Sequence, residues 1–148
     1  MTKTEISQTL DPQPSELALY SIQLWNQTLA SVESRHLEPP LLVSFLAREP
    51  LGSPVGGILI KHSFGVIYVE SFFVLPGYQR RGIGKQLTEA AFSYGRSKDC
   101  SHVLAQTYDF HTALEFLNGS YADIQLVGKI ENCPPPFTLY FFKKNLGN

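Results

Sequence analysis

Three short apolar segments follow one another in the middle of the chain, and short connections join them. They cover residues 41–47, 55–61 and 66–74. Each is short for a helix and is bounded by turn-forming residues, which is typical of strands. A connection such as His62–Gly65 is too short for the crossover that parallel strands need. The sequence therefore predicts an antiparallel meander of three strands.

After this meander the pattern changes to a helical period. Apolar residues recur at helical spacing between Ile83 and Tyr94, which indicates a helix packed on one face. The later elements are predicted as a helix over about 82–98, a strand over 101–107, a short helix over 110–118 and two strands within 121–130 and 137–144. The last two strands form a closing hairpin across three prolines, which cannot donate ladder hydrogen bonds. The predicted fold class is therefore α/β, with a mixed sheet.

The chain before the meander divides into a polar stretch and a helix. Residues 1–14 are polar and contain two prolines, which is typical of a flexible terminus. Apolar residues then recur at helical spacing from Ser15 to about Ser34, and this predicts an amphipathic helix. Because the chain has 148 residues and no linker-like stretch, we expect one domain over residues 1–148.

Charge and cysteine content exclude several classes of protein. Twelve Lys and Arg against thirteen Asp and Glu give a net charge of -1, without the basic excess of a nucleic-acid-binding protein. Cys100 and Cys133 lack the spacing of a zinc or redox site. No segment reaches the ~20 apolar residues of a membrane span, and the first residues lack the apolar core of a signal peptide. We therefore expect a cytoplasmic protein without a membrane or nucleic-acid partner.

A segment with two glycines lies where the third strand ends and the helix begins. Gly82 and Gly84 permit close approach to the backbone, while Arg80, Arg81 and Lys85 add positive charge. Amides at a helix start are unpaired and favour an anion, so the segment indicates a pyrophosphate site. The alternative is an ordinary strand-to-helix turn. Neither the Walker pattern nor the Rossmann fingerprint is present in the sequence.

Two sequence matches connect this segment to a known family. The string V-x-P-x-Y-Q-x-x-G-x-G, from Val74 to Gly84, resembles the Q/R-x-x-G-x-G/A motif of the GNAT acyl-CoA N-acyltransferases. Further on, AQTYDF and GKIENCPPPFTLYFFKKNL are similar to a common bacterial branch of that family. The resemblance extends over roughly residues 41–146. It implies acetyl-CoA as the acyl donor and central strands that splay apart near Val74 and Gln106 to admit the pantetheine arm.

The resemblance also assigns a donor site residue by residue. The backbone of Phe73 and Val74 would pair with pantetheine like an added strand, and the amides from Arg81 to Lys85 would bind the pyrophosphate. The residues implied in donor binding are Phe73, Val74, Gln79, Arg80, Arg81, Gly82, Ile83, Gly84 and Lys85.

Direct acyl transfer needs a group that takes a proton from the amine, and Glu70 is the first candidate. Its carboxylate lies in an otherwise apolar strand, where it needs water or a partner. In the family, a glutamate on this strand often accepts the amine proton through water. The alternative is a solvated or hydrogen-bonded structural carboxylate. Alternation along the strand predicts that Tyr68, Glu70, Phe72 and Val74 share one face.

Further polar side chains near strand ends are candidates to line an acceptor cleft. They are His62, Tyr108, Asp109 and His111. His111 is close in sequence to the predicted splay, although a lone histidine is more often structural. No pair of histidines and carboxylates has metal-ligand spacing, so no metal is expected.

The resemblance fails at the tyrosine that typically protonates the departing CoA sulfur. Phe116 takes this position, so Tyr108, Tyr121 or water must supply the proton. The predicted function is transfer of an acetyl group from acetyl-CoA to a primary amine of a small molecule or peptide. The alternatives are a weak or inactive acyl-CoA sensor and a domain that binds another diphosphate. The aromatic strand within 137–144 is expected to be core, and a ligand-stacking surface or the edge of a homodimer is its alternative.

Overall fold

The computed structural model describes residues 4–31, 40–111, 114, 117 and 123–147. Its helices and strands are α1 (Pro14–Ser31), β1 (Leu41–Arg48), β2 (Pro54–Ser63), β3 (Val66–Val74), α2 (Ile83–Ser97), β4 (His102–Tyr108), β5 (Gln125–Ile130) and β6 (Leu139–Asn145). The chain divides into two compact units, Met1–Pro39 and Pro40–Asn148. The first unit holds α1, and the second holds the sheet and α2. One domain over residues 1–148 stays a prediction.

Helix α1 confirms the predicted amphipathic segment as a helix. It begins at Pro14, and proline is tolerated there because the first helical N–H has no partner in the helix. The carbonyl of Gln13 accepts the N–H groups of Glu16 and Leu17 at 2.9 and 3.0 Å. The predicted end near Ser34 lies outside the described residues.

The six strands form one sheet in the order β1-β2-β3-β4-β6-β5. Strands β1, β2 and β3 pair antiparallel, as predicted, and β6 pairs antiparallel with both β4 and β5. Phe64 and Gly65 form the tight turn between β2 and β3, and both have positive φ (51° and 71°). That combination suits a two-residue hairpin loop whose twist matches the strands. The mixed α/β class and the closing hairpin are thus confirmed.

The two central strands part after a short contact. β3 and β4 run parallel, and their register joins Val66, Ile67 and Tyr68 to His102, Val103 and Leu104. Beyond Tyr68, β3 continues to Val74 while pairing with β2 on its other side. The predicted splay of the central strands is therefore confirmed, and it leaves one backbone edge of β3 unpaired with β4.

A β-bulge at Glu70 changes which side chains of β3 face the core. Leu59 pairs with Ser71 but Ile60 pairs with Val69, so Glu70 is the extra residue on β3. A bulge reverses the alternation of faces beyond it. Val69 and then Phe72 and Val74 pack against the core. The prediction that Phe72 and Val74 share a face with Tyr68 and Glu70 is therefore wrong.

Helix α2 covers one face of the sheet and forms the core with it. The side chains of Ile60, Ile67 and Cys100 are fully buried there. Gly95 permits the close approach, since a Cβ at this position would lie 2.7 Å from Leu146 Cδ1. The predicted helix over 82–98 is confirmed, with Gly82 as its N-cap. The predicted short helix over 110–118 falls largely outside the described residues.

Candidate active site

The loop between β3 and α2 has a backbone shaped for an anion. Gln79 Nε2 donates to the Val74 carbonyl at 3.1 Å and so ties the loop to the end of β3. Arg80 and Gly82 both have positive φ (63° and 81°). A Cβ added at Gly82 would meet nothing within 4 Å, so the space beside it is open. The open space lies at the N-cap of α2, and the start of a helix is a general site for an anion because its first amides have no partner within the helix.

The second glycine of the loop has a different role. A Cβ at Gly84 would lie 3.3 Å from Phe72 Cζ and 3.8 Å from Val74 Cγ2. The first distance is tighter than ordinary van der Waals contact, so a side chain here would require the Phe72 ring to shift by a few tenths of an ångström, while the second is ordinary contact. Gly82 thus provides backbone conformation and open space, while Gly84 permits close packing of the helix start on the strand.

Tyr78 connects the loop to the turn between β1 and β2, and this role was not predicted from the sequence. Its hydroxyl donates a hydrogen bond to Glu49 Oε1 in the turn between β1 and β2. The guanidinium carbon of Arg81 lies 5.2 Å from the centroid of the Tyr78 ring, a cation–π distance. The motif contains Tyr78, but its partner Glu49 lies 29 residues earlier. No local pattern could therefore have identified the pair.

A cavity of about 710 Å³ opens where β3 and β4 part. Its lining residues are Tyr68, Val69, Glu70, Leu104, Ala105, Gln106, Thr107, Tyr108, His111, Val127, Leu139, Phe141 and Phe142. The structure thus brings together Glu70, Tyr108 and His111 in one cavity, although they come from two strands and a turn. A cavity of this size is typical of small-molecule sites.

Two of the predicted cleft residues lie elsewhere. His62 is buried, and its Nδ1 lies 3.2 Å from the hydroxyl of Tyr94 on α2. Asp109 Oδ2 accepts the backbone N–H of Thr138 at 3.1 Å. Neither belongs to the cavity wall, so His62 and Asp109 have structural roles in this arrangement. Tyr121 and Phe116 lie outside the described residues.

Glu70, the extra residue of the bulge, lines the cavity together with Tyr68 and lies near a lysine. Glu70 Oε1 lies 3.8 Å from Lys61 Nζ. The side chains of Lys61 and Glu70 are 44% and 41% exposed. Lys61 Nζ also lies 5.2 Å from the centroid of the Tyr68 ring. The carboxylate therefore has a cationic partner at the rim of the cavity.

An aromatic cluster continues the cavity wall beyond the end of β4. The rings of Tyr108 and Phe110 stack at 5.1 Å with an interplanar angle of 9°. The Phe110 centroid lies 4.5 Å from that of His111 and 4.8 Å from that of Phe137. The Asp109 N–H donates to the Thr138 carbonyl at 3.2 Å, which holds the two chain segments together. Phe110 is 56% exposed, so the cluster presents aromatic surface beside the cavity.

Two further findings concern metals and membranes. Within residues 4–31, 40–111 and 123–147, no three His, Cys, Asp or Glu side chains are grouped so as to hold a metal ion. In the described part of the chain, neither helix has the length and apolar character that crossing a membrane requires.

Comparison with known proteins decides the family. The family model described as "Acetyltransferase (GNAT) family" matches residues 5–118. This chain belongs to the GNAT acetyltransferase family. The sequence resemblance drawn from the loop motif is thereby confirmed. The GNAT fold is also recognisable in solved structures that share little sequence with the chain.

A curated relative and two solved structures show how far the similarity extends. Aminoglycoside N(6')-acetyltransferase type 1 of Salmonella typhimurium is 38% identical over 42 residues, which span 28% of this chain and 29% of the relative. An acetyltransferase from Bacillus cereus aligns with a TM-score of 0.75 at 16% identity, over 94% of this chain and 97% of that one. A candidate streptothricin acetyltransferase from Bacillus anthracis, solved in complex with acetyl coenzyme A, aligns with a TM-score of 0.63 at 14% identity, over 79% and 70%. At these identities the structures share the fold alone.

Proposed function

We propose that this GNAT protein is an N-acetyltransferase that moves the acetyl group of acetyl-CoA directly to a primary amine of a small molecule or peptide. The observation that carries the proposal is the cavity between β3 and β4, which joins the part of β3 that does not pair with β4 to the carboxylate of Glu70. The glycine loop lies at the end of the same strand. A donor channel and a candidate base therefore share one strand.

The residues of this chain fit acetyl-CoA on two observations. The edge of β3 from Val69 to Val74 is free of β4, so an extended amide-containing chain can pair with Phe73 and Val74 as an added strand. The loop from Gln79 to Lys85 combines open space at Gly82 with the start of α2, which suits a diphosphate. When bound, acetyl-CoA supplies a thioester carbonyl as the electrophile.

Glu70 is proposed as the base and Tyr108 or Tyr121 as the proton donor. A protonated amine has no lone pair, so it must lose a proton before the C–N bond forms. Glu70 accepts this proton, directly or through water, and its opening toward the cavity gives it access. The amine nitrogen then attacks the thioester carbonyl, so that the C–N bond forms and the C–S bond breaks. The nitrogen releases its second proton to water as the amide forms, and the sulfur takes a proton from Tyr108, Tyr121 or water; a tyrosine that donates its proton regains one from water. No covalent enzyme intermediate is involved, and no metal is needed.

The aminoglycoside relative contributes one candidate acceptor. Because its match spans 29% of the relative's length, the acceptor of that protein is only a hypothesis for this one. An aminoglycoside therefore belongs among the amines tested, together with simpler amines and a peptide. A cytoplasmic location likewise stays a prediction.

The decisive experiment measures CoA release with a panel of amines, together with calorimetry of acetyl-CoA, CoA and ATP. An acetyltransferase binds acetyl-CoA in preference to ATP and releases CoA only when an amine is present. Tight acetyl-CoA binding without turnover on any amine would favour the sensor. Equal binding of ATP and acetyl-CoA would overturn the GNAT donor site itself.

A further inference from the structure

A primary ammonium already lies at the rim of the cavity, and it belongs to the protein. Lys61 Nζ is 3.8 Å from Glu70 Oε1 and 5.2 Å from the Tyr68 ring centroid. A carboxylate and an aromatic face are the two groups that attract an alkylammonium most directly. Both Tyr68 and Glu70 line the cavity, while Lys61 reaches them from the neighbouring strand β2. The structure thus contains a bound example of the cation that an acceptor amine carries.

The ion pair between Lys61 and Glu70 is weak enough for another ammonium group to replace that of Lys61. Its side chain is 44% exposed and that of Glu70 is 41% exposed. Ion pairs this accessible to solvent contribute little net free energy, since water screens them and both side chains lose freedom. A free amine that also contacts the cavity wall can therefore replace the Lys61 ammonium.

The cavity wall indicates what the rest of the acceptor is like. Among the described lining residues, Glu70 is the single carboxylate, and most of the others are apolar or aromatic. A polyamine or an aminoglycoside carries several positive charges, and each desolvated charge needs a partner. The wall contains instead the rings of Tyr108 and His111, and the exposed Phe110 ring packs against both beside the cavity. This surface suits an apolar or aromatic body of a molecule with one charge.

On the basis of the proposed acetyltransferase function, we propose that the acceptor is a small monoamine with an aromatic body. Its ammonium takes the place of Lys61 between Glu70 and Tyr68, and its ring lies against the aromatic cluster at Tyr108 and Phe110. Lys61 is then an internal competitor that occupies the ammonium position until the acceptor arrives. Glu70, which holds the ammonium, is also the group that accepts its proton.

The first test removes the competitor. Lys61→Met keeps an unbranched side chain, one atom shorter and without the charge, and it should lower the KM for 2-phenylethylamine about two- to five-fold. Lys61→Arg keeps a cation and should leave KM close to the parent value. Lys129→Met is the matched control, since Lys129 forms a similarly exposed ion pair with Glu131 at 3.2 Å and does not line the cavity. Acetyl-CoA affinity should be the same in all three variants.

The second test compares amines, and it separates this proposal from the proposed function. The value of kcat/KM should be highest for 2-phenylethylamine, lower for n-butylamine and lowest for spermidine and kanamycin. If kanamycin or spermidine is the best substrate, the acetyltransferase stands and the monoamine proposal falls. If no amine is turned over, calorimetry of 2-phenylethylamine still decides. Tighter binding to Lys61→Met than to the parent supports the ammonium position, and equal or absent binding overturns it.

Discussion

The two halves of strand β3 differ in what lies on one side of them. From Val66 to Tyr68 the strand is paired with β2 on one side and with β4 on the other. From Val69 to Val74 it keeps β2 but has lost β4. Both halves are rich in apolar residues, although the second also contains Glu70 and Ser71. The sheet is continuous from β2 to β4 along the first half, which is called the closed half. Along the second half, the open half, β3 and β4 are separated.

The difference teaches that the site arises from interrupted pairing more than from unusual residues. Glu70 is the extra residue of the bulge just beyond the point of change, and its side chain lines the cavity. An unpaired strand edge is normally a liability, because its N–H and C=O groups can pair with another chain. Here the same groups are proposed to receive the pantetheine arm.

The largest expected effect comes from blocking the loop at the end of the open half. Gly82→Glu should abolish acetyl-CoA binding, because it places bulk and negative charge in the open space proposed for the diphosphate. Gly52→Glu is the matched control. Gly52 also has positive φ (98°) and open space around its Cβ, but it lies in the turn between β1 and β2. Calorimetry should show lost binding only in Gly82→Glu, and equal affinities in the two folded variants would show that the donor site is misplaced.

The second prediction contrasts a core residue in the closed half with an exposed one in the open half. Ile67 is fully buried, whereas Phe73 is 44% exposed. Ile67→Ala should lower the free energy of unfolding by about 2–5 kcal/mol, as measured by urea denaturation. Phe73→Ala should cost clearly less stability, because less of its ring leaves water on folding. A reversed order would contradict the division of the strand into two halves.

The third prediction concerns Glu70, which stands at the junction of the halves. Glu70→Gln should slow amine acetylation by about 10²-fold, because the amide cannot accept the proton. Acetyl-CoA affinity should stay nearly unchanged, since the base acts on the acceptor. The pH dependence of kcat/KM should lose the limb that reports the base. An unchanged pH–rate profile would assign Glu70 a structural role.

The fourth prediction tests the proton donor on the opposite wall of the cavity. Tyr108→Phe should lower kcat by about 10-fold if the hydroxyl protonates the CoA sulfur. The effect is smaller than that of Glu70→Gln because a thiolate is already a tolerable leaving group, with a thiol pKa near ~8.5. The ring should still stack on Phe110. If Tyr108→Phe has the same kcat as the parent, Tyr108 is not the proton donor, and the proton comes from Tyr121 or from water.

The smallest expected effect separates backbone strain from charge in the loop. Arg80 has positive φ (63°), a conformation that disfavours side chains with a Cβ. Arg80→Gly should be more stable to unfolding than Arg80→Ala by about 1 kcal/mol. Both variants lose the same charge and should lose acetyl-CoA affinity to the same modest extent. Identical melting temperatures would show that the loop relaxes at this position.

Local patterns predicted most of the fold and the position of the loop that is proposed to bind the donor. The tight turn before Val66 and the apolar segments around it were enough to predict the meander. The helical spacing of apolar residues from Ile83 was enough to predict α2. The splay was implied by the family resemblance and not by any residue pattern. Composition likewise gave no sign that the first 39 residues form a separate compact unit.

The acceptor side was harder to predict because its contacts join residues distant in sequence. The turn at Phe64–Gly65 fixes the register from Ser63 to Ile60, and simple continuation would pair Leu59 with Glu70. Because of the bulge, Leu59 pairs with Ser71 instead. No residue type in this segment indicates the position of the bulge. Likewise, Phe137 lies against Phe110 because β4 and β6 pair in a register that joins Tyr108 to Leu139. The prediction that the last aromatic strand is core holds for the buried Phe142 but not for the exposed Phe137.

The brief parallel contact of β3 with β4 has a consequence for how the protein receives its ligands. Three residue pairs between β3 and β4 join the strands β1–β3 to the strands β4–β6. Beyond these pairs the two groups of strands diverge. The gap between the two groups of strands is already present in the folded protein. At the proposed donor site, acetyl-CoA would enter a gap that is already formed, and no free energy of binding would be lost to separating the strands.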